Sequence, residues 1–347
     1  MAAAAGAARG GPPELRQLSD DDAVVLDVAF NLHGTRLVAC RADYSVQVWD
    51  CGDDGEWRKA AWGNITGAHS DRVLRATWAH PEFGQVFATC CADKQVRIWE
   101  EHERAPGERK ALCNWQLKAQ LSESKRAVTD VKFAPRHLGL RLAAGSRDGL
   151  CRLYDANDVV SLNYWPLQET IFADASSTGV TCVAWNPSPF EPAMLLIGGG
   201  DGATVWAMAD HGGRRWATRR KLVADGAVYD AAWAPCVGRS VHVLATVEES
   251  QYVRVHLLQR SSDAALEYAR VFMDEPSSQR QELANPQSLE HGERVWRVSW
   301  NAAGTALVTS DEQGTAVVWR QHGMGRWLRV QVFAPGHEAP HATYAVP

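Results

Sequence analysis

Short apolar runs separated by compact polar turns fill most of the chain, and within the runs the apolar residues recur at every second position. Val24, Leu26, Val28 and Phe30 alternate with other residues, which predicts a strand with those four on one face. A turn at Gly34 leads to a second strand over 36–40, and a turn at Asp43 to a third over 45–50. The polar stretch 51–55 then leads to an outer strand over 57–62. Four antiparallel strands in this order read as one unit.

The unit recurs. Its second copy runs 73–78, 86–90 and 95–99 with an outer strand near Trp115; its third runs 128–133, 141–145, 150–154 and 165–172. Units four and five begin at 180–185 and 228–233. The sixth has strands over 295–300, 306–310, 315–319 and 327–333. Each third strand ends in an aromatic or imidazole ring: Trp49, Trp99, Tyr154, Trp206, His256 and Trp319. The rings recur at intervals of roughly fifty residues, longer only between His256 and Trp319, a spacing characteristic of propeller blades. The expected fold class is therefore all-β, a six-bladed β-propeller over residues 14–334. Residues 1–13 are expected to be a disordered lead-in and 335–347 a disordered tail. The outer strand of unit five is expected around 266–272, followed by a surface loop over 274–290.

The units resemble WD repeats, and that resemblance implies a lock in which an acidic turn residue and an entrance histidine join the third-strand ring. Asp43, Asp93 and Asp148 stand six residues before Trp49, Trp99 and Tyr154; His69 and His291 match the entrance position, with Trp319 the ring of unit six. The set is incomplete: unit five has Ser250 at the turn and His256 as its ring, and unit six has Gln313 at the turn.

Composition adds limits. With 46% hydrophobic and 22% charged residues and a formal net charge of −5, nothing favours general attraction to nucleic acid or anionic membrane. The eight cysteines form no CxxC pair and read as reduced core residues. No stretch is long and apolar enough to span a bilayer. The glycines around Asp201 lack the Gly-Lys-Ser/Thr ending of a phosphate loop, and no catalytic or metal-binding spacing occurs, so neither cofactor nor enzyme activity is expected. Arg214, Arg215, Arg219, Arg220 and Lys221 surround Trp216, a pattern that suits nucleic acid and equally an exposed outer strand; no direct nucleic-acid partner is expected.

More specific segments are 77–86 (TWAHPEFGQV), 128–135 (VTDVKFAP), 238–240 (GRS) and 294–301 (RVWRVSWN). In order and over about residues 24–327, they resemble the Seh family of coat nucleoporins, with the Sec-type coat propeller as a related branch. The resemblance implies an open propeller whose seventh blade is completed by strands of a helical, α-solenoid coat nucleoporin. It further implies a scaffold role in the Y-shaped nuclear pore coat beside other Y-complex nucleoporins, and a second setting with TOR-regulating coat subunits at lysosomal or vacuolar membranes. Because 327–333 supplies the last outer strand, residues 14–18 are left over. Leu15, Arg16, Gln17 and Leu18 with Val24, Val25 and Leu26 are expected to frame the partner site. The alternatives are a vesicle-coat propeller at endoplasmic-reticulum exit sites and a substrate adaptor of a ubiquitin ligase.

Overall fold

The computed structural model describes residues 23–102, 115–208, 216–235, 241–260, 266–268, 271–273, 281–283, 285–322 and 325–335. Among the described residues its strands form six larger antiparallel sheets in chain order and one two-stranded sheet. Sheet one is Val25–Phe30, Arg36–Arg41, Val46–Cys51 and Trp57–Ile65; sheet two is Val73–Trp78, Val86–Cys91, Val96–Glu101 and Trp115–Leu121. Sheet three is Val128–Phe133, Arg141–Ser146, Leu150–Asp155 and Leu167–Phe172; sheet four is Val180–Trp185, Met194–Gly199, Gly202–Met208 and Trp216–Lys221. Sheet five begins with Val228–Trp233, Val241–Glu248 and Tyr252–Arg260, and sheet six is Val295–Trp300, Ala306–Asp311, Ala316–His322 and Arg326–Phe333. This is the blade order of a six-bladed WD40 β-propeller. The chain forms two compact units, one ending at Val183 and the other starting at Ala184.

Two expectations are corrected. The alternation of Val24, Leu26, Val28 and Phe30 does not define one face, because the pairing register shifts between Val25 and Asp27. The bulge turns Asp27 inward to 5% exposure. The outer strand of sheet five is not continuous over 266–272. Leu266–Tyr268 pairs with one half of Tyr252–Arg260, Gln287–Glu290 pairs with the other half, and Val271–Met273 forms a hairpin with Gln281–Leu283. The insertion therefore interrupts an outer strand, and part of the expected loop is sheet.

The buried aspartate has a regular function. In the first unit Asp27 accepts a hydrogen bond from the Ala76 amide at 3.1 Å, and Asp130 one from Val183 at 2.8 Å. In the second, Asp230 accepts from Val298 at 3.0 Å. These carboxylates tie sheet one to two, three to four and five to six, accepting from amides of a first strand that is the edge strand of its sheet. Indoles add a second tie: Trp78 Nε1 donates to Ala29 O at 2.9 Å and Trp300 Nε1 to Ala232 O at 3.2 Å.

Sheet two contains a connected polar chain. His69 Nδ1 is 3.0 Å from Asp93, His69 Nε2 is 2.8 Å from Thr89 Oγ1, and Trp99 Nε1 donates to the same hydroxyl at 3.0 Å. Burial lowers the His69 pKa. Burial alone would raise that of Asp93, but the bonds from His69 and the Ser70 amide hold it well below the usual carboxylate range.

In sheet six Trp319 Nε1 donates to Thr309 at 2.9 Å, and the acid facing His291 is Asp311 at 3.4 Å rather than a group at the Gln313 turn. In sheet five the acid is likewise two residues ahead of the turn. Glu248 accepts from the Asp225 amide at 2.8 Å, and His256 takes the indole's place, its Nε2 2.9 Å from Thr246 Oγ1. Asp43 and Asp148 act otherwise. Asp43 binds the Ser45 amide and hydroxyl, and Asp148 holds Arg152 and the Lys125 amide, while Tyr154 donates to Glu123 at 3.0 Å. Trp49 lies under the Lys59 ammonium. The physical reason is the missing hydroxyl: the residue ten before the ring is Ala39 in sheet one and Ala144 in sheet three, where sheets two, five and six have Thr89, Thr246 and Thr309.

Thr89→Val removes the hydroxyl shared by His69 and Trp99 at nearly constant volume. The expected loss is about 2 kcal/mol, read as a lower urea midpoint, because two buried donors or acceptors lose their partner. His256 yields a pH prediction. Burial holds its imidazole down at about 3, so it is neutral in the fold. The unfolded chain binds that proton near about pH 6.5. Stability from this group is therefore full above that value and falls on acidification toward pH 3, approaching about 1.4 kcal/mol per pH unit. Urea midpoints measured at pH 7 and pH 5 are expected to differ less in His256→Gln than in the parent chain.

Candidate partner interface

The first strand of each sheet opens with a valine: Val25, Val73, Val128, Val228 and Val295 are equivalent by register, and Val180 takes the same place at the start of its strand. Five of them are 0% exposed. Val180 shows what covers such a residue. A Cβ built on Gly145, in the second strand of the preceding sheet, would stand 2.5 Å from Val180 Cγ1, so this valine packs on the sheet before it. Among the described residues no sheet precedes sheet one along the chain, and Val25 is 44% exposed.

Other apolar groups accompany it. Val24, Phe30, Leu32 and Tyr44 are exposed as well, whereas Leu26 is half-buried. Phe30 occupies the position that is Trp78 in sheet two and Trp300 in sheet six, and a phenyl ring has no N–H to donate to a neighbouring carbonyl. It instead packs edge-on against Trp57 at 5.6 Å. The strand carrying these groups is well held. Val24 O accepts from the Ala42 amide at 2.9 Å, and the Asn31 carboxamide oxygen accepts from the Thr35 and Arg36 amides at 2.9 and 3.1 Å, fixing the next turn. The apolar residues are thus presented by ordered backbone, which lowers the entropy lost on binding. Of the residues expected to frame the partner site, Val24, Val25 and Leu26 fall here, whereas Leu15, Arg16, Gln17 and Leu18 lie outside the described residues.

One cluster has a metal-like composition: His69, Cys91 and Asp93, with ligand atoms within 4.8 Å of one another. It does not fit an ion. Both ring nitrogens of His69 already face Asp93 and Thr89. The Cys91 thiol donates to Asp71 O at 3.1 Å, and burial pushes it up to about 12, so it stays protonated. Among the described residues no helix is long and apolar enough to cross a membrane.

Sequence reasoning missed the threonines at 89, 246 and 309, although each stands ten residues before its ring and could have been found by that spacing. It also missed the shift of the acid to Glu248 and Asp311. The repeated first-strand aspartates Asp27, Asp130 and Asp230 were legible as residues but not as ties between sheets.

Known proteins place this architecture. The model of the WD domain, G-beta repeat, matches residues 13–50, 64–100, 115–155 and 285–320. Nucleoporin SEH1 of Danio rerio is 37% identical over 320 residues, covering 89% of this chain and 84% of the relative. Nucleoporin SEH1 of Homo sapiens is 36% identical over 332 residues, covering 89% and 85%. A chain in a crystal structure of the mitotic checkpoint complex aligns with a TM-score of 0.62 over 88% of this chain and 76% of that one; at 18% identity it shows the fold alone. Extent and identity together assign the chain to the SEH1 nucleoporin family of non-enzymatic WD-repeat propellers.

Proposed function

We propose that this chain is a structural subunit of the nuclear pore outer-ring coat, the Y complex, that carries a helical coat nucleoporin on the exposed face of sheet one. The observation behind the reading is Val25: the same position is fully buried in five sheets and open in the first. A partner that brings a small sheet would cover Val25, Phe30 and their neighbours as one sheet covers the next. Its strands would gain apolar burial together with backbone pairing to residues 14–18. The chain would work by rigidifying its partner and offering its remaining surfaces to other Y-complex nucleoporins. Transport of protein and mRNA would then be a property of the assembly. The same face would serve a TOR-regulating coat at lysosomal or vacuolar membranes, since one apolar sheet face can accept one solenoid at a time.

Val25→Asp combined with Phe30→Asp places two charges on the face. Affinity for a co-expressed helical coat nucleoporin is expected to fall at least tenfold, with the melting temperature of the free chain little changed, because both positions are already exposed. Unchanged affinity would exclude this face. Removing residues 1–19 is expected to weaken the complex without dissolving it, as measured by calorimetric titration; an affinity equal to that of the full chain would show that residues 14–18 add no strand. Affinity purification from cells is expected to recover pore-coat nucleoporins. Recovery of exit-site coat proteins or ligase subunits in their place would refute the assignment.

A further inference from the structure

Arg294, just before the first strand of sheet six, rests on two aromatic rings. Its Cζ lies 4.6 Å from the centroid of Tyr229 and 4.4 Å from that of Trp296. The rings meet edge to face with centroids 5.6 Å apart. Tyr229 and Trp296 are equivalent residues, each following the buried valine of its own sheet, Val228 or Val295. The aromatic pair is thus built by the packing of sheet five on sheet six, which Asp230 and Trp300 hold together.

The guanidinium is held by these π faces and not by an acid. Its Nε is buried without a hydrogen-bond partner, and among the described residues no carboxylate lies within ion-pair distance. Arg72, the equivalent residue of sheet two, is largely exposed and 3.9 Å from Asp71. Three glutamates flank the aromatic pair along the backbone. Glu293 precedes Arg294, the Glu312 amide donates to Arg294 O at 3.0 Å, and the Glu249 amide donates to Ala227 O at 3.1 Å, two residues before Tyr229. Glu249 and Glu312 are exposed. An anionic ligand approaching Arg294 would meet three like charges, whereas a cationic one is drawn by the acids and received by the ring faces.

We propose that Tyr229 and Trp296 form a recognition site for an arginine side chain of a basic peptide, which the chain fills with its own Arg294 until such a peptide displaces it. A tethered guanidinium competes at millimolar effective concentration, so a lone arginine displaces it poorly. A peptide with several arginines gains from the glutamates and wins the exchange, and the released Arg294 can then turn toward Glu293 or Glu312.

The test uses the full chain and a blocked Gly-Arg-Arg-Arg-Gly peptide in calorimetric titration, with a Gly-Glu-Glu-Glu-Gly peptide as the anionic control. Arg294→Ala is expected to bind the arginine peptide at least tenfold more tightly than the parent. Adding Trp296→Leu is expected to abolish that gain, and Glu249→Gln with Glu312→Gln to weaken binding and flatten its salt dependence. Circular dichroism reports folding, and Tyr229→Leu supplies the same test if Trp296→Leu does not fold. Equal affinity of Arg294→Ala and the parent would overturn the proposal, as would a gain that survives loss of the ring. Binding of the glutamate peptide that depends on Arg294 would also overturn it, in favour of an anion site.

Discussion

A four-stranded sheet has two broad faces, and where one sheet packs on another the recurrent contact is the first-strand valine. Val73, Val128, Val180, Val228 and Val295 are all fully buried. Burying a side chain of this size contributes about 2 kcal/mol, and the same contact fixes how closely adjacent sheets approach. Gly145 shows the tolerance, since a single added Cβ there would collide with Val180. The buried aspartates and the indole-to-carbonyl bonds depend on this approach, because each spans from one first strand to the next.

The same dependence gives the exposed face its meaning. Sheet one has the valine, the bulge and the buried aspartate of a blade that expects a neighbour, but its valine is open and its tryptophan position is a phenylalanine. A face that is built like a covered one and remains uncovered is what the proposed partner would occupy, and its ordered backbone would make the added contact less costly in entropy. The aromatic pair at Tyr229 and Trp296 arises from the opposite circumstance. There the neighbour is present, and two equivalent positions on adjoining sheets come close enough to share one guanidinium.

The polar chain through His69 shows how a shared plan tolerates loss. In sheet two four side chains connect. Sheet six moves the acid by two residues to Asp311, sheet five replaces the indole by His256, and sheets one and three lack the bridging hydroxyl. Apolar packing is present in every sheet, whereas the complete His–Asp–Thr–Trp chain is present in one, so the polar chain adjusts blade stability and does not create the blade.

Period and residue type carried the blade count, the strand order and the family resemblance, because a strand's alternation and a turn's composition are local properties that any copy of the unit displays. They also placed His69, Asp93 and Trp99 in one group. They did not show the bulge that turns Asp27 inward, since a shift of one residue in register exchanges the faces without changing the sequence pattern. Nor did they show which acid faces His291, how the insertion splits the outer strand of sheet five, or that Arg294 lies on Tyr229 and Trp296. Those outcomes turn on which residues from separate repeats are brought together, and only the packing of one sheet on the next decides that.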